Sequence, residues 1–288
     1  DPDFANWLSV QSHVNSRLEM PGPNNPNIHL VGSAVSYRKG QRLIIFRDIT
    51  DIHNLERIRR DFVANVSHEL RTPLTVLIGY LESIEGHLSA DTDSKEMLPA
   101  INRMQSQASQ MEALLKDLLE LSRLQSDEHE SEEEEIDVPA MLMLLKELAE
   151  EISQGNHALE FNVMNGPGLR GISADIESAF TNLLQNAIHY TPAGGTVKVS
   201  WEMEEEGPVF SVEDTGSGIP SKDIPRLTER FYRVGADRSR SSGGTGLGLA
   251  IVKHVLNAHQ ARLSIESELG LGSRFSCHFP GERALQSK

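Results

Sequence analysis

The sequence predicts a multidomain α+β chain: a small antiparallel sheet, then a helical hairpin, then an α/β sandwich. Three observations carry this. Two β-like runs, Ile28 to Tyr37 and Arg42 to Ile49, flank Arg38-Lys39-Gly40-Gln41, which reads as a hairpin loop. From Asp51 onward apolar residues fall in steps of three and four. From Ile136 to Phe279 helix-like and strand-like segments mix around a long Gly/Ser/Arg-rich segment, and a loop of that length inside a domain is usually functional.

The first fifty residues contain a polar stretch, Pro21-Gly22-Pro23-Asn24-Asn25-Pro26, before the two β-like runs. Two strands alone are marginal, so they are expected to complete a sheet whose earlier strands precede this sequence. In the next segment Val63, Val66, Leu70, Leu77, Leu81 and Ile84 line one face, with Pro73 filling the gap in register. In a second helix Met97, Ile101, Met104, Ala108, Met111, Leu115 and Leu118 alternate in steps of four and three. A polar loop around Gly86 to Ser94 joins the two helices into a hairpin with too little core to stand alone. Two copies paired as an antiparallel four-helix bundle would bury both seams, which predicts a homodimer. Ser126 to Glu135, almost entirely acidic and polar, reads as a solvated linker. Beyond it the pattern gives helices at 139–153, 174–189 and 247–258, with strands at 158–163, 196–201, 209–212, 262–266 and 273–279.

A formal charge of −15 disfavours nucleic acid as a partner, since no basic stretch exceeds Arg57 to Arg60. The single cysteine, Cys277, sits in an alternating strand pattern and reads as a small core side chain in a reducing compartment. No run approaches the ~18 apolar residues of a membrane helix. The chain starts at Asp1, so it reads as part of a longer protein with an upstream membrane anchor.

Four constellations bear chemistry. In Ser67-His68-Glu69-Leu70-Arg71-Thr72-Pro73, His68 stands about 200° around the helix from both Val66 and Leu70, so its imidazole is expected to be exposed. Thr72 is four residues on and shares that face, and Glu69 and Thr72 are neighbours at three. Thr72-Pro73 also suits a helix start or kink. In the segment Asn182 to Pro192, Asn182 and Asn186 share one helix face, where their amide oxygens could converge on a hard cation. Asp214-Thr215-Gly216-Ser217-Gly218 places an acid at a strand end before two glycines, which suits a flat ligand carrying an exocyclic amine. Gly243-Gly244-Thr245-Gly246-Leu247-Gly248 opens into an apolar helix, where exposed amides favour phosphates. It matches neither the Rossmann fingerprint nor a P-loop.

These four, in this order, resemble the cytoplasmic part of a sensor histidine kinase. The H box is Ser67 to Pro73, the N box Asn182 to Pro192, and the glycine boxes are Asp214 to Gly218 and Gly243 to Gly248. The F box is Glu229-Arg230-Phe231-Tyr232-Arg233. The segments Phe62 to His68 and Leu74 to Glu82 resemble the phosphate-regulon branch of the family. Residues 1–50, ending Phe46-Arg47-Asp48-Ile49-Thr50-Asp51, resemble the second half of its PAS domain.

The resemblance implies a partial PAS-like domain at 1–50, a signalling helix at 51–61, and a dimerisation and histidine phosphotransfer domain at 62–126. An acidic linker at 127–135, a GHKL-type ATP-binding domain of the Bergerat fold at 136–280 and a tail at 281–288 complete it. It implies that the γ-phosphoryl of ATP passes to His68, with Glu69 bonding the other ring nitrogen. Thr72 would orient water for the reverse, phosphatase reaction. Asp214, with Gly216 and Gly218, would recognise adenine, Asn186 and Asn182 would hold Mg²⁺, and His189 and Tyr190 would lie against the nucleotide. Arg233 and the segment Gly244, Thr245, Gly246, Leu247, Gly248 would contact phosphates beneath a lid at roughly 227–244. The implied partners are a PhoB-like response regulator, which accepts the phosphoryl on an aspartate, and a second copy of the chain. His189 departs from the pattern, because many relatives carry Lys or Arg there. A dimeric ATPase clamp of the same fold superfamily and an inactive scaffold are the competing readings; His68 in its heptad context separates the first, and the intact boxes oppose the second.

Overall fold

The structure, a computed structural model, describes residues 4, 7, 17–38, 41–88, 98–125, 132–163, 166–235 and 244–285. The chain divides into two compact units, Asp1–Arg71 and Thr72–Lys288. Among the described residues, no helix is long and apolar enough to cross a membrane.

The first unit holds a three-stranded antiparallel sheet in the order β1-β2-β3 (Arg17–Pro21, His29–Arg38, Gln41–Asp48). The β2–β3 pairing is the hairpin expected from the sequence; its connecting residues 39 and 40 lie outside the described residues. Strand β1 is an addition, paired along its whole length with β2 where only upstream strands were expected. The sheet hands over to helix α1 (Thr50–Leu88) at a compact junction. There Asp48 Oδ1 accepts from both the amide (2.9 Å) and the hydroxyl (2.5 Å) of Thr50, and Thr50 Oγ1 accepts from the His29 amide at 2.9 Å. These bonds hold the Asp48 carboxyl below the ordinary carboxylate range.

In the second unit Arg103 of α2 (Leu98–Gln125) donates to the Tyr80 hydroxyl of α1 at 2.7 Å. Met97 and most of the expected loop between the helices lie outside the described residues. Leu81, Ile101 and Leu115 of the expected seam are exposed on the single chain. Helix α2 carries a second stripe that the seam did not announce: Leu114 and Leu121 are buried, and α2 packs on α5 (Gly248–Ala258).

The remainder is a sandwich. Its main sheet runs β5-β7-β8-β10-β9 (Ala158–Asn162, Thr196–Met203, Pro208–Asp214, Gly272–His278, Arg262–Glu268), with β5 parallel to β7 and the other pairs antiparallel. Helices α3 (Val138–Ser153), α4 (Ser173–Tyr190) and α5 form the second layer, each amphipathic with a buried apolar stripe. Phe180 of α4 stacks on Phe210 of β8 at 3.8 Å between centroids, and buried Trp201 donates to the Pro167 carbonyl at 2.7 Å. Cys277 is buried in this core, which pushes its thiol well above the ordinary range and makes it a poor nucleophile.

Three short strands make a second sheet, β11-β6-β4 (Ala284–Leu285, Gly168–Gly171, Glu134–Ile136). Two sequence expectations change here. Glu134 and Glu135, read as linker, pair with Gly171 and Arg170, and part of the expected tail pairs with Leu169 and Gly168. The physical reason is local: Ile136 is buried, and the nearly buried Arg283 donates to Glu133 (2.9 Å) and to the Arg170 carbonyl (3.0 Å). The rest of the acidic stretch, 126–131, lies outside the described residues.

Candidate functional site

His68, Glu69 and Thr72 are all exposed on α1, as the helical phase required. The preceding Ser67 turns its hydroxyl back to the Val63 carbonyl at 2.8 Å. The helix start that Thr72-Pro73 also allowed is not formed: α1 continues through buried Pro73 to Leu88.

The second unit contains a cavity of about 880 Å³ between α4, the end of β8, the segment after Leu227 and the glycine-rich entry to α5. Asn182, Asn186, His189, Tyr190, Asp214, Gly218, Arg233, Gly244, Thr245, Gly246 and Gly248 all line it. Gly216 and Leu247, also expected at the ligand, stand behind the wall. The Gly216 amide donates to Asp214 Oδ1 at 2.8 Å, and the Leu247 side chain is fully buried. Residues 236–243 of the expected lid lie outside the described residues.

Asp214 ends β8 at one side of the cavity and is only 6% exposed. Burial raises its carboxyl above the ordinary range, against the opposing pull of backbone bonds from Gly216 and Ser273. A buried carboxylate with an open face suits a neutral amine donor better than a surface acid would, because water competes less. Gly216 and Gly218 are required by contact: a Cβ on Gly216 would lie 2.5 Å from the Tyr190 carbonyl oxygen. One on Gly218, at φ +65°, would lie 2.0 Å from that of Glu268.

At the other side, Asn182 Nδ2 donates to the Ser178 carbonyl of its own helix at 3.0 Å. That fixes the amide so that Oδ1 faces the glycine segment, where a Cβ on Gly248 would come within 2.5 Å of it. Asn186 lines the cavity one turn on. The side-chain oxygens of Asn182 and Asn186 are hard, neutral donors, to which a bound ligand's phosphates would add. The donor set therefore fits a hard, partly hydrated cation such as Mg²⁺. Gly246, at φ +71°, brings the glycine segment against Phe231, whose amide donates to the Gly246 carbonyl at 2.8 Å. His189 is held below its ordinary value, first by burial and then by nearby Arg233. Its ring meets Tyr190 edge-on at 4.9 Å.

The cavity is lined by a recessed acid, Asp214, and by the Asn182 and Asn186 amides beside the glycine-rich entry to α5. Comparison with known proteins gives the family. The model of the histidine kinase-, DNA gyrase B- and HSP90-like ATPases matches residues 171–283, and that of the His Kinase A phospho-acceptor domain matches residues 58–127. The phosphate regulon sensor protein PhoR of Pseudomonas aeruginosa is 44% identical over 288 residues, covering 100% of this chain and 64% of its own length. That of Haemophilus influenzae is 40% identical over 247 residues, covering 85% and 57%. The chain thus spans less than two thirds of either relative. The Acinetobacter baumannii histidine kinase AdeS superposes with a TM-score of 0.58 at 25% identity, over 75% of this chain and 98% of that one. The chain belongs to the sensor histidine kinases.

Two lining residues of this histidine kinase, His157 and Asp117, escaped the sequence reading, and a third, Tyr232, was read only as part of the F box. His157 joins two walls: its amide donates to Ser153 Oγ at 3.1 Å, and its Nε2 pairs with the Thr191 carbonyl at 2.9 Å. Tyr232 donates to Asp223 at 2.8 Å beneath the Arg226 guanidinium, which lies 4.2 Å from its ring centroid. Asp117, from α2, reaches the cavity and accepts from Thr245 Oγ1 at 2.6 Å. His157 carried a faint signal, since it follows a Gln154-Gly155-Asn156 helix stop; Asp117 carried none, being one acid in a charged helix.

Proposed function

We propose that this chain is the kinase portion of a PhoR-like sensor, which phosphorylates His68 from Mg-ATP and passes the phosphoryl group to an aspartate of a PhoB-like response regulator. The observation that carries it is the pairing of an exposed His68 in a Glu69-x-x-Thr72 setting with a separate cavity that presents Asp214, Asn182 and Asn186.

In this reading the Asp214 carboxylate accepts from the adenine amine, and the residues near Gly244 to Gly248 hold the phosphates with Arg233. Asn186 and Asn182 hold Mg²⁺, which supplies charge neutralisation at the phosphates when bound. A ring nitrogen of His68, expected to be Nε2, attacks with its lone pair. The new N–P bond forms as the bond from the γ-phosphorus to its bridging oxygen breaks, and that electron pair leaves on ADP. Glu69 accepts from the other ring N–H, fixes the tautomer and stabilises the positive charge that develops on the ring. Thr72 orients water when the regulator is dephosphorylated. The exposed seam of α1 and α2 supports pairing of two copies as a four-helix bundle. The sheet at 17–48 supports a PAS-like sensor half, and the likeness to the phosphate regulon sensor PhoR supports a role in phosphate-starvation signalling; membrane attachment through a segment outside this sequence is part of the same proposal.

The test is incubation with γ-labelled ATP and Mg²⁺ beside His68→Ala and Asn186→Ala, followed by acid and base treatment. The expected label is acid-labile, base-stable and absent from both variants. ATP hydrolysis without label on the protein would instead favour an ATPase clamp.

A further inference from the structure

Asp117 is a carboxylate in the place where phosphates are expected. It projects from α2, lines the cavity and accepts from Thr245 Oγ1 at 2.6 Å. The same hydroxyl oxygen accepts from the Leu247 amide at 3.2 Å, so the acid is coupled to the amide-rich entry of α5. Its place is set by packing. Leu114 and Leu121, three residues before and four after, are buried on the same face of α2, and Arg123 pairs with fully buried Asp175 two turns on. Burial is the main influence on Asp117 and raises its carboxyl, while the Thr245 bond opposes it. A half-buried acid next to a triphosphate site is an electrostatic liability unless it acts when the phosphates are absent.

We propose that Asp117 is an internal competitor for the phosphate end of the ATP site, so that helix docking and triphosphate binding exclude one another at Thr245. This rests on the ATP reading of the cavity. With Asp117 seated, the Thr245 hydroxyl is engaged and a negative charge faces any incoming phosphate. When phosphates enter, the Asp117–Thr245 bond breaks and α2 loses one of its ties to the ATP-binding lobe. The competition is confined to the phosphate end, because Asp214 serves the adenine end and makes no contact with α2 among the bonds seen.

The experiment uses the full chain and two ligands, ATP with Mg²⁺ and adenosine, titrated by calorimetry into the unsubstituted protein, Asp117→Asn and Asp117→Ala. The expected result is ATP binding at least fivefold tighter in both variants, with adenosine binding unchanged within twofold. Equal ATP affinity in all three proteins overturns the proposal, as does an equal gain for adenosine, which would mark a general loosening of the cavity. Absence of binding by either ligand to any of the three overturns the ATP reading and the proposal with it. Hydrogen exchange on the unsubstituted protein keeps the test independent of variant folding. Amides at 113–121 should exchange faster with Mg-ATP than with adenosine, and equal exchange would overturn the competition.

Discussion

Arg123 on α2 pairs with Asp175, a carboxylate that is 0% exposed in the first turn of α4. The pair joins the hairpin to the ATP-binding lobe through a charge that water cannot reach. Removing one partner of a buried pair costs about 3–5 kcal/mol, but the Arg123 side chain is 42% exposed, which lowers the expectation to about 1–3 kcal/mol. Arg123→Met, which keeps the apolar stem, should therefore lower the urea midpoint of the chain without changing the slope. An unchanged midpoint would show that Asp175 is satisfied without the arginine.

Burial lifts the Asp214 carboxyl above its ordinary value of 3.8. The sign follows from proton counts. Between the unfolded and folded values the native state binds more protons, so stability attributable to this group is full below the unfolded value and lost as pH rises through the folded one. Under the proposed function adenine recognition would run the other way, because the ionised carboxylate accepts from an amine more strongly than the protonated acid does. ATP affinity should fall as pH drops towards the raised value, and should do so at a higher pH than an exposed aspartate would give. Asp214→Asn should weaken ATP by about 100-fold, roughly the loss of one charge-assisted bond, and abolish this pH dependence. A pH profile identical in the variant would remove Asp214 from the site.

His189 is displaced in the opposite direction, with its pKa below 6.5 through burial and then Arg233. Here the unfolded state binds more protons, so the stability linked to this group is full above 6.5 and lost as pH falls through the folded value. At pH 8 the ring is neutral and adds no charge beside the expected phosphates. His189→Lys should tighten Mg-ATP several-fold at that pH, measured by calorimetry, with a smaller gain in high salt. Equal affinity at pH 8 would show that residue 189 does not sense the phosphates.

The parts of this fold that were legible share one property: a long apolar period. Helices α3, α4 and α5 and the strands that cross the sandwich core could be read because their buried faces repeat over several turns or pleats. The exposure of His68 was legible for the same reason. Strand β6 was not, since Gly168-Leu169-Arg170-Gly171 offers one buried apolar residue and its partners lie at the far ends of the domain. Asp117 was not, because its partner Thr245 is 128 positions away, and a lone acid beside Lys116 and Glu120 looks solvated until the fold brings α2 onto α5.

Gly248 separates the roles of stability and binding at the site. It opens α5 with no positive φ to favour glycine, so alanine would ordinarily be tolerated there, with a gain of at most about 1 kcal/mol. Its constraint is contact alone: an added Cβ would lie 2.5 Å from Asn182 Oδ1. The amide can relieve this by swinging away, which breaks the 3.0 Å bond from Nδ2 to the Ser178 carbonyl and withdraws the oxygen from where the proposed cation would sit. Gly248→Ala should thus hold or raise the melting temperature while weakening Mg-ATP at least tenfold. Asn182→Ala should weaken it comparably, and the double variant should be no worse than Asn182→Ala alone, because the alanine methyl then has nothing to displace. Additive losses would mean that Gly248 acts on the phosphates directly and not through Asn182.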